Sequence, residues 1–234
     1  MSNAAAKTAG AGAIRAAVVL PVKRFDAAKS RLGEALGAVD RSELAAAMLA
    51  DVIAQLGRCE LVEQVYMVSS EPLALRLGAR IGAVAVDDRP GHSAAAAAGV
   101  EAAIAAGFSR LALLAGDCPL LEAAEVEALL RRPGAAVVVL ADRHGSGTNG
   151  LVLTPPDAIE PAFGPGSRRR HLARAAAAGV SAQALEGSSM ELDLDGPDDL
   201  DELRRRLRER PGAAPATAAV LAHIEFKLAP GSVR

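Results

Sequence analysis

Apolar residues fall along this chain in two rhythms, short unbroken runs and longer stretches at helical spacing, and these rhythms alternate. Ala16 to Pro21 is an apolar run and predicts a first strand, followed by a polar loop carrying Lys23, Arg24, Lys29 and Arg31. Over residues 41–56, Leu44, Met48, Val52 and Leu56 recur at helical spacing and predict an amphipathic helix. Residues 64–69 and 83–86 read as strands with a short helix, 73–77, between them, and the third strand ends at Asp87-Asp88. An Ala-rich helix is expected over 93–106 with Ser93 as its N-cap. Strands over 110–115, 135–140 and 150–154 and helices over 123–130 and 168–178 continue the series. A short strand at 192–195 and a helix at 197–208, with Pro197 in its first turn, close it. Strands separated by helices imply βαβ units, so the expected class is α/β: a single-domain, mostly parallel sheet with helices on both faces.

Composition supports that picture. The chain of 234 residues suits one domain, here placed at 14–210, after a small, polar segment 1–13 expected to be disordered. Beyond Pro211 the sequence turns to Pro, Ala and Gly, and residues 218–228 are expected to form one more helix, docked or not. Hydrophobic residues make up 51% but aromatics only 2%, so aliphatic side chains must fill the space between layers. The net charge of −2 lacks the basic stripe of a nucleic-acid binder. The arginines at 204, 205, 206 and 208 are interleaved with carboxylates and read as a solvated helix face. Cys59 and Cys118 stand far apart with no CxxC, which excludes a disulfide framework and a Cys-rich zinc site. No apolar stretch has the length of a membrane span and the start lacks a secretory pattern, so a cytoplasmic enzyme is expected.

Ligands of open α/β sheets bind at the carboxyl ends of the strands. Those ends carry the basic loop after the first strand, Gly116-Asp117-Cys118-Pro119 after the fourth, and residues 142–149 after the fifth. Asp193 and Asp195 alternate with Leu192 and Leu194, so an extended backbone turns both carboxylates to one side and both leucines to the other. Asp117, Asp193 and Asp195 converging there would suit Mg²⁺, a hard cation that prefers oxygen ligands. The alternative is that Asp195 only caps the last helix and Asp117 only turns its loop. Lys23, Lys29 and Arg31 are candidates for holding a triphosphate, though the loop matches neither a Walker A motif nor GxGxxG. Gly145, Gly147 and Thr148 make one flexible turn with a hydroxyl. Phe163-Gly164-Pro165-Gly166-Ser167 makes another, ahead of a helix whose first N–H groups would form an anion site with Ser167 as cap and ligand. His92, His144, His171 and His223 show no metal-ligand spacing, and no Ser-His-Asp or Cys-His set is evident. Phosphate attack needs neither, because a substrate phosphate is already ionised and requires positioning and charge neutralisation.

Several motifs then follow one another in order. They are Pro21-Val22-Lys23 with Ala28-Lys29-Ser30-Arg31-Leu32, Gly116-Asp117-Cys118-Pro119-Leu120-Leu121 and Gly147-Thr148-Asn149. Phe163-Gly164-Pro165-Gly166-Ser167 with His171, and the run from Asp193-Leu194-Asp195-Gly196 to Leu200, complete the set. Spanning about residues 16–207, it resembles the 2-phospho-L-lactate or phosphoenolpyruvate guanylyltransferases of deazaflavin coenzyme biosynthesis. The resemblance implies a Rossmann-like nucleotide-diphospho-sugar transferase fold, related to that of the molybdenum-cofactor guanylyltransferases. It implies transfer of GMP from GTP to a phosphorylated three-carbon acid with release of pyrophosphate. It puts Mg²⁺ on Asp117, Asp193 and Asp195 and the acid on Thr148, Gly164 and Ser167. Asp117, with Lys23, Lys29 and Arg31, is expected to carry catalysis. Two segments depart from the family pattern: Gly91-His92-Ser93 where a Leu-Asn pair is usual near the nucleotide, and Gly196 where Thr is usual. The expected partners are GTP and a small phosphorylated acid, with no nucleic acid and no membrane. A homodimer, and handover of an unstable product to the next pathway enzyme, accord with this reading. The alternatives are a related nucleotidyltransferase with another acceptor (3-phosphoglycerate, molybdopterin or a sugar phosphate) and a non-catalytic nucleotide-binding pathway protein.

Overall fold

Every residue of β1 (Ala16–Pro21) is buried, as a strand covered on both faces requires. The computed structural model describes residues 14–25, 32–33 and 36–228; the expected disorder over 1–13 lies outside the described residues. After β1 come α1 (Ala38–Leu56), β2 (Val62–Val68), α2 (Pro72–Ala79), β3 (Val84–Val86), α3 (His92–Ala105) and β4 (Arg110–Leu114). The second half comprises α4 (Ala123–Arg131), β5 (Val137–Ala141), β6 (Thr148–Leu153), α5 (Ser167–Ala177), β7 (Ala182–Leu185), α6 (Pro197–Glu209) and α7 (Pro215–Leu228).

The strands form one seven-stranded sheet in the order β3-β2-β1-β4-β6-β5-β7. All neighbours pair in parallel except β6, which runs antiparallel to both β4 and β5. The α/β class and mostly parallel sheet are as the alternating rhythms predicted. Side chains of β1 alternate between two cores: Ala16, Val18 and Leu20 face one with α1, while Ala17 and Val19 face the other with α3. Gly99 of α3 lets that helix approach β1 closely, since a Cβ there would lie 2.3 Å from Val19 Cγ1.

Three elements differ from expectation. Residues 192–195 join no ladder of the sheet, yet the alternation read from them holds, with Leu192 and Leu194 buried and Asp193 and Asp195 more exposed. The seventh strand is instead β7, whose Ala-Gln-Ala-Leu sequence is half-exposed at the sheet edge and so shows no apolar run. The N-cap of α3 is Gly91, with φ of 96°, and Ser93 lies inside the helix.

α7 docks on α1. The buried Asp51 carboxylate of α1 accepts the N–H groups of Ala216 and Thr217 and the Thr217 hydroxyl, at 3.0, 2.8 and 2.7 Å. Asp51 thus caps a helix far along the chain, bonding Ala216 across 165 residues and satisfying N–H groups that the helix's own first turn leaves open. Leu221 and Ile224 are buried beneath it.

Candidate active site

The strand order reverses beside β1: the chain walks outward through β2 and β3, then returns to lay β4 on the other side. The carboxyl ends of β1 and β4 therefore open a crevice at the switch point. Lys23 follows β1 there and Asp117 follows β4. Because β6 runs the other way, its first residues, Thr148 and Asn149, lie at this same edge. A cleft of about 890 Å³ occupies the edge. Its lining includes Lys23, Asp117, Thr148, Gly164, Ser167, Asp193 and Asp195. Every expected site residue within the described part of the chain is thus brought to one cleft; Lys29 and Arg31 lie outside the described residues.

Asp117, Asp193 and Asp195 each present a carboxylate oxygen within 4.8 Å of the others. Three anionic oxygens this close repel one another and match the hard-oxygen preference of Mg²⁺, so the donor set fits that ion. The supports behind them stand in the quoted motifs, but their partners were not legible from the sequence. Cys118, fully buried, donates its Sγ–H to Met190 O at 3.2 Å and joins the Asp117 loop to the segment that carries the other two carboxylates. Asn149 Nδ2 lies 3.0 Å from Met190 O, 3.1 Å from Glu191 O and 3.0 Å from Asp193 Oδ1. This side chain is buried, and a buried amide needs partners; its place in the Gly147-Thr148-Asn149 motif was the signal available in the sequence.

Asp195 is held through its backbone. Asp199 Oδ2 accepts the N–H groups of Asp195 and Gly196 at 3.0 and 2.8 Å, and its Oδ1 accepts Arg143 Nε–H at 2.7 Å. Asp199 at N3 of α6 thus reaches back to the N-cap, one half of a capping box. Gly196 is that N-cap and has no side chain to supply the other half. Asp195 is therefore not the cap of the last helix, which answers one of the alternatives left open above.

The loop ahead of α5 lines the same cleft. Gly164 and Gly166 adopt φ of 102° and 71°, a region open to glycine, and Gly166 is the N-cap. The Ser167 N–H is taken by Gly164 O at 3.0 Å and the Arg168 N–H by Ser146 O at 3.3 Å. Ser167 is consequently the first helical residue and not a cap, and it lines the cleft. Arg170 braces the loop by donating to the carbonyls of Ala162, Phe163 and Pro165. Phe163 lies edge-on between His92 and His171, with ring centroids 4.9 and 5.2 Å away. His92, from the departing Gly91-His92-Ser93 segment, lines the cleft; burial, then the Lys23 charge, push its pKa down against the opposing pull of Asp117 and Asp88. His171 is fully buried, and its link to Thr148 Oγ1 spans 23 residues of sequence, so spacing gave no hint of it. His144 is exposed at the cleft rim, and His223 lies on the outer surface of α7.

Comparison with known proteins accords with this geometry. A protein from Desulfovibrio desulfuricans G20, described as a nucleotide-diphospho-sugar transferase, superposes with a TM-score of 0.75 at 17% identity, covering 91% of this chain and 96% of its own. The fold is thus that of the nucleotide-diphospho-sugar transferases. Within that class, a family model for guanylyl transferases, CofC like, matches residues 16–208, and the chain belongs to this family. Relatives named phosphoenolpyruvate guanylyltransferase include one from Conexibacter woesei, 43% identical over 87% of this chain and 93% of its own. Another, from Sphaerobacter thermophilus, is 37% identical over 79% of this chain and 90% of its own.

Proposed function

We propose that this protein transfers GMP from GTP to a phosphorylated three-carbon acid, phosphoenolpyruvate or 2-phospho-L-lactate, with release of pyrophosphate, as a step of deazaflavin coenzyme biosynthesis. The observation that carries this reading is a single cleft lined by three clustered carboxylates together with Thr148, Gly164 and Ser167. The names of the relatives supply the nucleotide and the acid.

In this mechanism a phosphate oxygen of the acid attacks the α-phosphorus of GTP. The new O–P bond forms as the bond to the bridging oxygen breaks in line with it, and pyrophosphate leaves with that electron pair. No proton needs to move, which accords with a cleft in which no histidine–nucleophile pair is called for. Lys23, with Lys29 and Arg31, holds the triphosphate; Thr148, the Gly164 backbone and Ser167 hold the acid's phosphate. Asp117, Asp193 and Asp195 would hold Mg²⁺, which when bound screens the two anions and neutralises charge on the leaving group. Orientation is the remaining contribution of the protein, and the hydrogen bonds behind the carboxylates provide it.

No helix among the described residues is long and apolar enough to cross a membrane. The reading places the enzyme in the cytoplasm, as a homodimer that hands its reactive phosphoanhydride product directly to the next enzyme of the pathway. Pyrophosphate release with Mg²⁺, crossing GTP, CTP and ATP against phosphoenolpyruvate, 2-phospholactate and 3-phosphoglycerate, tests the whole reading. Release is expected only with GTP and one of the first two acids. Nucleotide binding without release for any pair would overturn it.

A further inference from the structure

His171 stands behind Thr148, fully buried and outside the cleft lining. Its Nε2 accepts the Ala162 N–H at 2.8 Å, and its Nδ1 lies 3.1 Å from Thr148 Oγ1. A backbone N–H can only donate, so Nε2 must carry a lone pair. A neutral imidazole has one N–H, which then sits on Nδ1 and donates to the Thr148 oxygen. The geometry of Ala162 is itself fixed, since Arg170 clamps its carbonyl at 3.0 Å and that of Phe163 at 2.9 Å. Burial, with the charges of Arg174 and Arg170, keeps the ring neutral, its pKa pushed down to about 4. Having accepted from His171, the Thr148 hydroxyl retains its own proton to give, and Thr148 lines the cleft.

We propose that His171 is a positioning residue which, through the chain Ala162 N–H to Nε2 and Nδ1–H to Thr148 Oγ1, leaves the Thr148 hydroxyl proton free to donate to an oxyanion of the acid substrate. The proposal rests on the reading that Thr148 contacts that acid, and it deepens that reading by fixing which partner donates. A carboxylate or phosphate oxygen is recognised by that proton, because the His171 N–H occupies one lone pair of the hydroxyl and leaves its O–H to donate. The imidazole exchanges no proton with substrate.

The test compares wild type with His171→Leu, His171→Asn, Thr148→Val and the His171→Leu/Thr148→Val double variant. Leucine removes the donor, whereas asparagine restores an amide N–H near the Nδ1 position. The KM for the acid is expected to rise about 10-fold in His171→Leu, with the KM for GTP unchanged, and to return to within about 3-fold of wild type in His171→Asn. The double variant should be no worse than the worse single one, because both break the same chain. An unchanged acid KM, equal rises for both substrates, or fully additive losses would overturn the proposal. Inorganic phosphate and lactate, used as competitive inhibitors, separate the two oxyanions: whichever loses about 10-fold in His171→Leu is the group that Thr148 holds, and loss by neither contradicts the idea. ¹⁵N NMR of the full chain reads the tautomer without any turnover. A proton on Nδ1 is expected, and one on Nε2 would overturn the assignment. Failure of wild type to release pyrophosphate would sink the proposed function while leaving the tautomer to be judged by NMR.

Discussion

The carboxylate of Asp199 holds Asp195 from behind, its Oδ2 accepting the Asp195 N–H at 3.0 Å while Oδ1 engages Arg143 at 2.7 Å. One buried side chain thus aligns a cleft carboxylate, starts α6 and fixes the loop after β5. Asp199→Ala is expected to lower stability by about 1–2 kcal/mol in denaturant unfolding, the usual range for a lost cap. It should also raise the Mg²⁺ needed for half-maximal activity about 10-fold, because loss of a group orienting a ligand weakens the site. Asp199→Asn, which keeps one acceptor oxygen, should fall between. Unchanged Mg²⁺ dependence in Asp199→Ala would show that Asp195 does not depend on this support.

Three carboxylates with oxygens within 4.8 Å of one another repel, and a cation bound among them would relieve that repulsion. Mg²⁺ is therefore expected to raise the melting temperature of wild type, and EDTA to reverse the rise, because an ion bound only by the folded state stabilises it. Asp193→Ala should show no such rise. Asp117→Ala should lose roughly 100-fold or more in kcat while melting no lower than wild type in EDTA. A full-rate Asp117→Ala enzyme would rule out the mechanism.

His171 makes stability depend on pH. Its folded pKa of about 4 lies below the ordinary value of 6.5, so between these the unfolded chain binds a proton that the folded chain refuses. Stability is complete above pH 6.5 and falls as pH drops toward 4, at up to about 1.4 kcal/mol per pH unit. His92, also pushed down by burial, acts with the same sign. Unfolding in denaturant at pH 7.5 and 5.0 should show wild type losing about 1–2 kcal/mol more than His171→Asn over that interval. Equal losses would mean that the ring is protonated within the folded protein.

Gly99 poses a contest between two effects. Glycine to alanine inside a helix ordinarily adds about 1 kcal/mol of stability. Here the new Cβ would lie 2.3 Å from Val19 Cγ1 and 2.9 Å from its Cγ2, against a fully buried β-branched residue of the sheet. Overpacking of that kind costs about 1–3 kcal/mol, so Gly99→Ala is expected to be less stable than wild type by thermal melting. Gly82→Ala is no control for helix propensity, since Gly82 lies outside a helix with φ of 71°. A more stable Gly99→Ala would mean that α3 shifts away from β1 at little cost.

The α/β class and most elements were readable because each depends on local rhythm: a buried strand needs an unbroken apolar run, and a helix needs apolar residues three and four apart. The sequence also named Asp117, Thr148, Gly164, Ser167, Asp193 and Asp195, since loops at strand ends are where an open sheet exposes polar groups. It could not tell that β6 runs backward, because an apolar run has no direction; only pairing with β4 and β5 sets it. Nor could it show β7, whose edge position leaves its side chains half in solvent and its pattern blank. The supporting groups lie further still from local rules. Asn149 on Asp193, Cys118 on Met190, His171 on Thr148 and Asp51 on Thr217 are bonds across 44, 72, 23 and 166 residues. Hydrophobic periodicity is a property of neighbours in the chain, whereas the satisfaction of a buried polar group is decided by whichever segment the fold brings against it.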